Sequence, residues 1–510
     1  MLLPNMKPAL ARLQAAILDK ETVGIFGDFD ADGITGTALL SEGMETLGYH
    51  VIPYLPHRTK EGHGLSHKAV EYFKEHGTTI IITVDCGTTS IDEIARAKEL
   101  GIDTIITDHH EPLDELPVAT AIVNPKLPNS AYPFPYLAGA GLAFKLIQGL
   151  CDRLMIDWDY SLLQLAAIGT IIDVTPITGE NRYIVSAGLK SMNLNPKPGL
   201  QEILKLAGRY KDTIDTTSIS FVIGPRINAP GRIEHCITSY NLLRATSNEQ
   251  AYPLARELEA INRQRQSLTS TLSEIAFEQV SNHQQSKEIL IIDHEEFTPG
   301  ISGLLASKLS NYYYKPAIVM APEVPSSDIF IGSCRSIPEF DLVNALGECG
   351  DIFIRFGGHK RAAGFTIARD NIDILRSTLT EIANLRLYEL DLRPTIKVDA
   401  NVKLNSITGP NFHFLQELAP HGEGNPLPTF LTRQVDVVKI SRMGAESQHL
   451  HLTLKYQGAI WEATAFNLGT LWEDGTKSID IVYNVGRGRR YKTDNIQINI
   501  MDFRKSEKSA

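Results

Sequence analysis

Clusters of aspartate and histidine directly follow apolar segments in the first third of the chain. They are DFDADG (28–33), DCG (85–87), DHH (108–110) and Asp173, which ends the apolar run LAAIGTII. Taken singly, an aspartate at such a position is most often the N-cap of a helix. Taken together, several carboxylates with one or two histidines form an oxygen-rich site, which suits Mn²⁺ or Mg²⁺ better than zinc.

The spacing within DFDADG brings carboxylates together. Alternate residues of an extended segment point to the same side, so Asp28, Asp30 and Asp32 are expected to converge. Like charges packed this closely need cations to offset their repulsion. Two cations about 3.5–4 Å apart can activate water and stabilise the leaving oxygen of a phosphodiester. The pattern therefore favours a two-metal phosphodiesterase, which needs no Ser or Cys nucleophile.

The segments that carry these clusters alternate between strand and helix patterns. Strands are predicted at TVGIF (22–26), TIIITV (79–84) and DTIIT (103–107), and helices at 7–19, 35–47 and 91–100. This alternation is typical of a parallel sheet, whose sites lie at the carboxyl ends of the strands. A Pro-rich stretch from Pro112 to Pro135 predicts a loop, and helical apolar segments follow at 138–150 and 161–172.

The rest of the chain predicts two further folding units. A long helix is expected over 254–280, followed by an α/β unit with strands EILIID and PAIVMA around a helix at 301–311. Short β-rich runs then fill 395–505, which indicates a small all-β barrel of the OB-fold type. They are TIKVDA, QVDVVKI, HLHLTL, IDIVYNV and NIQINI. The expected domains are 1–190, 191–285 with the long helix, 286–390 and 391–510.

Composition excludes several classes of protein. No apolar run reaches the ~18 residues of a membrane-spanning helix, and the first residues indicate an amphipathic helix, not a signal peptide. Five scattered cysteines without a CxxC pair argue against a disulfide framework or a zinc site, so a cytoplasmic location is expected. The net charge is −11, but residues 431–510 carry 12 Lys and Arg against 9 Asp and Glu. A polyanion could therefore bind locally.

The motifs resemble the DHH phosphoesterases in type, order and spacing, and the resemblance covers essentially the whole chain. GDFDADGITGTALL, TVDCGTTS, TDHHEP and IGTIIDVTP look like motifs I to IV of that superfamily. The later segments GPRINAPGR (224–232), SCRSIPEFDL (333–342) and RFGGHKRAAGF (355–365) resemble the RecJ exonucleases and their DHHA1 domain. LAPHGEGNPLPTF (418–430) resembles the RecJ entrance to the OB-fold.

The resemblance implies roles for the acidic motifs. Asp30 and Asp32 would bind metal, with Asp28 in or beside the ligand shell, and Asp85 would bridge two ions. The remaining motif residues would complete one metal site, orient a histidine or approach the scissile phosphate. These are His109 and Asp173 as ligands, Asp108 as the orienting carboxylate and His110 beside the phosphate. The implied activity is 5′-to-3′ hydrolysis of single-stranded DNA in repair and recombination, and the expected partners are a helicase and a single-strand-binding protein.

Several basic or glycine-rich segments are candidates for substrate contact. Arg58, in a Gly-containing loop after a strand, is favoured as a phosphate contact, whereas His57 and His63 are expected to be solvated loop histidines. The GPRINAPGR segment either lines a DNA path or braces two domains, and the other segments either bind phosphate or form turns. The candidates are Arg226, Asn228, Arg232, Ser333, Arg335, Gly357, Gly358 and His359.

A basic cluster in the predicted barrel surrounds Tyr491. Arg487, Arg489, Arg490 and Lys492 next to an aromatic ring fit single-strand binding, but a solvated basic turn is almost equally expected. By contrast, GAGLAF (139–144) only loosely echoes a dinucleotide fingerprint and follows a loop instead of a strand, so that function is rejected.

Three departures from the family pattern stand out. Gly27-Asp28 replaces the histidine that begins motif I in many DHH enzymes, as in RecJ-like members, and the chain starts close to its first strand, as a core version or a truncated one would. FTPGISGLLASKL (297–309) lacks a Trp-His pair. Two other functions are weighed. A phosphodiesterase of short oligonucleotides or cyclic dinucleotides would not need the barrel. A non-catalytic DNA-binding scaffold would not need four intact acidic motifs.

Overall fold

A computed structural model describes residues 2–283, 287–444, 446–487 and 496–506. The chain forms two compact units, Met1–Pro394 and Thr395–Ala510. Within the described residues no helix is long and apolar enough to cross a membrane.

The first unit begins with a fully parallel five-stranded sheet in the order β2-β1-β3-β4-β5. Its strands are rich in β-branched residues that are buried on both faces, as a sheet covered by helices requires. The three strands predicted from the sequence are present, each within one residue of the predicted bounds. The strands are β1 Thr22–Gly27, β2 His50–Tyr54, β3 Thr78–Val84, β4 Asp103–Thr107 and β5 Ala121–Val123.

Strand β5 corrects the prediction of a plain loop between Pro112 and Pro135. Its three residues are buried and pair with β4. Three residues are too few to produce a periodic pattern, and the prolines around them dominate the sequence signal.

Helices surround this sheet and continue into an all-helical segment. Helices α5 and α6 are almost wholly buried, which explains their continuous apolar sequence. The helices are α1 Met6–Leu18, α2 Ala31–Thr46, α3 His67–Glu75, α4 Ile91–Glu99, α5 Gly139–Leu154, α6 Leu162–Ile172, α7 Gly179–Leu194, α8 Pro198–Leu206, α9 Thr216–Ser218, α10 Gly224–Asn228, α11 Pro230–Ile233 and α12 Ile237–Arg244. A π-helix, Ile219–Ile223, joins α9 to α10.

A 36-residue helix, α13 Asn248–His283, leads to a second sheet. The predicted long helix is therefore present and is longer than expected at both ends. The second sheet is mixed, in the order β6-β7-β8-β10-β9, with apolar cores on both faces. Its elements are β6 Leu290–Asp293, α14 Pro299–Tyr313, β7 Ala317–Pro322, β8 Ile329–Arg335, α15 Leu342–Gly347, β9 Phe353–His359, β10 Ala362–Ala368 and α16 Ile372–Leu387.

The second unit is a closed barrel. Strand β12 pairs with both β13 and β15, β14 pairs with β13 and β16, and β15–β16 completes the ring. Closure around an apolar core confirms the predicted OB-type barrel. The elements are β11 Ala400–Asn401, α17 Pro410–Glu417, β12 Phe430–Met443, β13 His449–Tyr456, β14 Ala459–Ala465, β15 Ser478–Arg487 and β16 Ile496–Lys505.

One predicted barrel strand is wrong. The run TIKVDA contributes only Ala400 to a strand, and β11 makes just two pairs with β12. Residues 395–398 are exposed, so their β-branched side chains have no sheet face to pack against. Strand β14 was not predicted from the sequence, because only a short turn separates it from β13.

Candidate active site

The acidic clusters meet at one edge of the parallel sheet. Asp28, Asp85 and Asp108 follow the carboxyl ends of β1, β3 and β4, and each backbone amide donates to the neighbouring strand. The acceptors are the carbonyls of Val84, Thr107 and Val123 at 3.2, 3.0 and 3.2 Å. The three aspartates therefore continue the sheet ladder before the chain turns, and these residues are at most 3% exposed.

The DFDADG segment does not run extended throughout, which corrects the expectation for Asp32. Asp30 is the N-cap of α2, and its Oδ1 accepts from the amides of Asp32 and Gly33 at 2.9 and 3.2 Å. Asp32 is already in the first helical turn. The capping preference of aspartate turns the chain here, and the carboxylates converge through that turn instead of through strand alternation. Asp30 keeps its Oδ2 free of the cap bonds.

His109 lies at the centre of the carboxylates. Its Nε2 is 3.0 Å from Asp85 Oδ1, 3.7 Å from Asp173 Oδ2 and 3.9 Å from Asp32 Oδ2. Asp173 reaches the site from the carboxyl end of α6, where it is the C-cap. Asp32, His109 and Asp173 can each offer a ligand atom within 4.8 Å of one another.

A second potential ligand group shares this space. Asp28, Asp30 and Asp85 also offer oxygens within 4.8 Å of one another, and Asp85 recurs in a third group with His109 and His110. Asp85 is thus the carboxylate common to neighbouring groups. It adopts a φ of 62°, a left-handed conformation that aspartate tolerates better than most residues.

The electrostatics of these groups fit bound cations. Burial and the charges of neighbouring carboxylates raise the pKa of Asp30, Asp32, Asp85 and Asp173. Asp28 Oδ1 is buried and has no hydrogen-bond partner among the residues that the structure describes. Clustered carboxylates with an unsatisfied buried oxygen are stabilised by divalent cations.

Asp108 and His110 form a separate pair beside the cluster. Asp108 Oδ1 accepts from the amides of His109 and His110 and lies 2.8 Å from His110 Nδ1, while Oδ2 accepts from Thr88 N at 2.9 Å. Burial opposes the charged imidazole, but Asp108 outweighs it and raises the pKa of His110 to about 9. With Nδ1 held by Asp108, Nε2 of His110 is left to donate to a ligand.

His63 is solvent-exposed in its loop, as expected, but it also contacts the carboxylate cluster, which was not expected. Its Nδ1 lies 3.0 Å from Asp28 Oδ2, and its ring packs on Phe29 at 4.4 Å, although the side chain is 67% exposed. No sequence signal links a loop histidine to an aspartate 35 positions earlier, so this contact was not predictable. His57 conforms to expectation, because its Nδ1 contacts only Thr59 in its own loop.

Half-buried arginines form a basic pocket next to the cluster. The Arg58 guanidinium stacks 4.7 Å over Phe29, between Asp28 and Asp30 in the chain. Burial and the charges of Arg58, Arg265 and Arg335 lower the pKa of Arg232 to about 10. The backbone next to Arg232 is packed on both neighbours of this region, because a Cβ on Gly231 would lie 2.6 Å from Phe29 O and a Cβ on Gly300 would lie 1.8 Å from Arg232 O. Arg265 was not among the sequence candidates, and its buried Nε has no hydrogen-bond partner among the described residues.

The second sheet supplies part of this pocket. Arg335 donates to the carbonyl of Cys334 at 2.8 Å, and Arg232 donates to that of Gly300 at 3.2 Å. A Cβ placed on Gly303 of α14 would lie 3.4 Å from Arg335 Nη2 and 3.8 Å from Ser333 Oγ. Segment FTPGISGLLASKL therefore forms a wall of the pocket.

Two candidates from GPRINAPGR act as braces. Arg226 pairs with Glu259 of α13 at 2.7 Å and donates to the carbonyl of Val222. Asn228 Oδ1 accepts from the amide of Ala31 at 2.9 Å, at the start of α2. These contacts support the bracing alternative, and contact of either residue with the substrate stays a prediction.

Gly357, Gly358 and His359 end the exposed edge strand β9. Gly358 has a φ of 139°, and a Cβ there would lie 2.5 Å from Ala362 O, so glycine is required for the pairing. The charges of Lys126 and His110 affect the pKa of His359, which burial lowers. Lys126, a cation that sequence reasoning missed, pairs with Glu111, the residue after His110, at 3.1 Å.

The predicted basic cluster of the barrel lies outside the described residues. This applies to Arg489, Arg490, Tyr491 and Lys492, and to the side chain of Arg487.

Comparisons with known families cover most of this architecture. The models of the DHH family N-terminal domain, the DHHA1 domain and the RecJ OB domain match residues 22–170, 285–385 and 398–502. The single-stranded-DNA-specific exonuclease RecJ of Dickeya dadantii is 30% identical over 518 residues, which are 96% of this chain and 89% of that protein. This chain belongs to the RecJ family. The RecJ of Bacillus subtilis is 39% identical over 92% of this chain, but the match spans only 59% of that relative's length.

A solved RecJ structure has the same fold. Thermus thermophilus RecJ in complex with Mn²⁺ has a TM-score of 0.85 and 28% identity, covering 99% of this chain and 72% of that one. The match confirms the predicted RecJ architecture of a parallel-sheet domain, a second α/β domain and a barrel.

Proposed function

We propose that this chain is a metal-dependent exonuclease that hydrolyses phosphodiester bonds of single-stranded DNA from the 5′ end. The observation that carries the proposal is the pocket of Arg58, Arg232 and Arg335 beside the carboxylate cluster. The names of the RecJ relatives, single-stranded-DNA-specific exonuclease, support the same reaction and substrate.

The arginine pocket supports an end-specific reaction. None of the three guanidiniums pairs with a carboxylate within the described parts of the chain, so their donors are available to an anion. Arginine binds phosphate bidentately, and a terminal phosphate carries more charge than an internal one. A strand held by its terminal phosphate presents its first phosphodiester bond to the neighbouring carboxylates. The 5′-to-3′ polarity of the proposed reaction is inferred from membership of the RecJ family.

Two Mn²⁺ or Mg²⁺ ions are the proposed cofactor, as the buried, mutually repelling carboxylates and the unpartnered Asp28 Oδ1 support. Such ions, when bound, supply Lewis-acid polarisation of the phosphate and activation of water. The residues proposed to hold them are Asp28, Asp30, Asp32, Asp85, His109 and Asp173. Crystal structures of Thermus RecJ with Mn²⁺ and with Mg²⁺ agree with this choice.

The remaining site residues are proposed to handle the phosphate. Asp108 holds Nδ1 of His110, so Nε2 can donate a hydrogen bond to an oxygen of the scissile phosphate. Ser333, Gly357, Gly358 and His359 are proposed as further strand contacts from the second sheet. The barrel, including the 487–492 basic cluster, is proposed to grip the strand beyond the site.

From the family and the sequence, we also propose domain boundaries at 190, 285 and 390. We further propose a role in DNA repair and recombination, together with a helicase and a single-strand-binding protein. We also propose a reducing, cytoplasmic location, which the five unpaired cysteines support.

The test uses single strands labelled at either end, a duplex and a dinucleotide, each with Mn²⁺ or EDTA. We expect the 5′ label to appear as a mononucleotide at the earliest times and the 3′ label to shorten progressively. Both reactions should require Mn²⁺, and duplex should resist. Consumption of the dinucleotide alone would indicate a small-substrate phosphodiesterase, and strand binding without hydrolysis would indicate a scaffold.

A further inference from the structure

The beginning of helix α5 holds one of the clustered carboxylates. The amide of Gly139 donates to Asp32 Oδ2 at 2.6 Å, and that of Ala140 donates to Asp32 Oδ1 at 2.9 Å. The 16-residue helix has no side-chain cap of its own. The first amides of a helix lack intrahelical partners and carry partial positive charge, so the buried carboxylate satisfies them while they fix both of its oxygens.

Two glycines leave the space that this arrangement needs. A Cβ on Gly139 would lie 2.5 Å from Asp85 Cβ and 3.0 Å from Asp32 Oδ2. A Cβ on Gly169 of α6 would lie 2.4 Å from Asp32 Oδ1. Neither glycine has a positive φ, so the backbone conformation does not require glycine at either position. Glycine is required at both positions because the carboxylates approach the helix backbone so closely.

We propose that Gly139, Ala140 and Gly169 are positioning residues that set the orientation of Asp32 and its separation from Asp85. The inference rests on the proposed function, because it assumes that these carboxylates hold cations. It also gives a role to the GAGLAF segment. This glycine-rich helix start receives a carboxylate of the protein, in the way that comparable helix starts receive a phosphate.

These contacts act by restricting the orientation of the Asp32 carboxylate. Each oxygen of Asp32 has one lone pair engaged by an amide, so the remaining lone pairs have a fixed direction. Gly139 contacts Asp32 and Asp85 together, so α5 works as a spacer between ligands from two different segments. Loss of such supporting contacts typically weakens metal binding 10–100-fold.

Titration calorimetry with Mn²⁺ on the full chain tests the steric part. Gly139→Ala and Gly169→Ala should each bind Mn²⁺ roughly 10–100-fold more weakly than wild type. Gly141→Ala is the matched control on the same helix, because a Cβ there would meet its nearest atom, in Leu137, at an ordinary 3.5 Å. Unfolding temperatures in EDTA report on structural damage independently of metal.

The outcomes separate this inference from the proposed function. Unchanged Mn²⁺ affinity in folded Gly139→Ala and Gly169→Ala would overturn the inference alone. If wild type does not bind Mn²⁺, or binds it equally well after Asp85→Ala, the proposed metal centre fails and the inference fails with it.

Hydrogen exchange tests the amide contacts without changing a glycine, and so decides the matter if those variants do not fold. In metal-free protein, the amides of residues 139 and 140 should exchange at least tenfold faster in Asp32→Ala than in wild type. The amides of α7 should be unaffected. Equal exchange at 139–140 in both proteins would show that Asp32 does not hold the helix start.

Discussion

Replacing Arg335 by alanine should remove most of the enzyme's preference for a strand with a 5′ phosphate. Arg335 comes from the end of β8, and its Nη2 would lie 3.4 Å from a Cβ placed on Gly303 of α14. Only Nη1 is used in its 2.8 Å bond to Cys334 O, and a guanidinium carries five N–H donors. Donors therefore remain for a phosphate.

The size of the effect follows from the type of bond. A hydrogen bond to a charged group contributes about 1.5–3 kcal/mol, which corresponds to roughly a ten- to over a hundredfold change in affinity. A strand with a 5′ hydroxyl never makes this bond. We therefore expect kcat/KM to fall by roughly that factor on 5′-phosphorylated strands and to change little on 5′-hydroxyl strands.

The assay measures kcat/KM on both strands for wild type, Arg335→Ala and the control Arg209→Ala. Arg209 is exposed at the surface and pairs with Asp212, three positions along the chain, at 3.0 Å, so its loss should leave both rates unchanged. If Arg335→Ala slows both strands equally, Arg335 supports the site without reading the terminal phosphate. If neither rate changes, the pocket does not bind the strand end.

Three further predictions follow. Asp85→Ala should abolish Mn²⁺-dependent hydrolysis in protein that still folds, because Asp85 belongs to two ligand groups; substantial residual turnover would contradict the bridging role. A chain ended after Pro394, once shown to be folded, should cut dinucleotides normally but bind long strands weakly and with a shallower salt dependence, as filter binding across a salt series would report. Burial of Asp480 would raise its pKa, but hydrogen bonds from Gln434 N, Ser506 and Arg504 outweigh burial and lower it. The ionised Asp480 therefore stabilises the folded protein above roughly pH 4, and this contribution is lost as the pH falls through the folded pKa. Asp480→Asn should therefore lower the unfolding temperature at pH 7, and the difference from wild type should shrink as the pH falls below roughly 4 and through the folded pKa; a difference independent of pH would show that the carboxylate charge is not the cause.

The sequence predicted the sheet and the cluster because local patterns determine both. Strands β1, β3 and β4 are β-branched runs ended by polar turns, and parallel strands bring their carboxyl ends to one edge whatever the details of packing. Asp30 is both a helix N-cap and a member of the carboxylate cluster. It caps α2 through Oδ1, as the most common role predicts, while Oδ2 remains for the cluster.

The parts that were missed depend on contacts between distant segments. His63 reaches Asp28 across a loop, and Asn228 reaches Ala31 from α10. Neither hydrophobic periodicity nor a sequence motif encodes contacts between segments that lie so far apart in the chain. Strand β5 was missed for a different reason, because its three residues are too few to give a recognisable pattern among the surrounding prolines.

The metal centre and the fold of the first unit are therefore built from the same interactions. Asp32 satisfies the amides of α5, Asp30 satisfies those of α2, and Asp85 lies against Gly139. Without cations, these fold-supporting carboxylates repel one another, as their raised pKa values indicate. Ions that bind only the folded arrangement relieve this repulsion and add a stabilisation that grows with the logarithm of their concentration. Removing the metal should thus loosen the starts of α2 and α5, the elements that hold the site, before it affects the barrel.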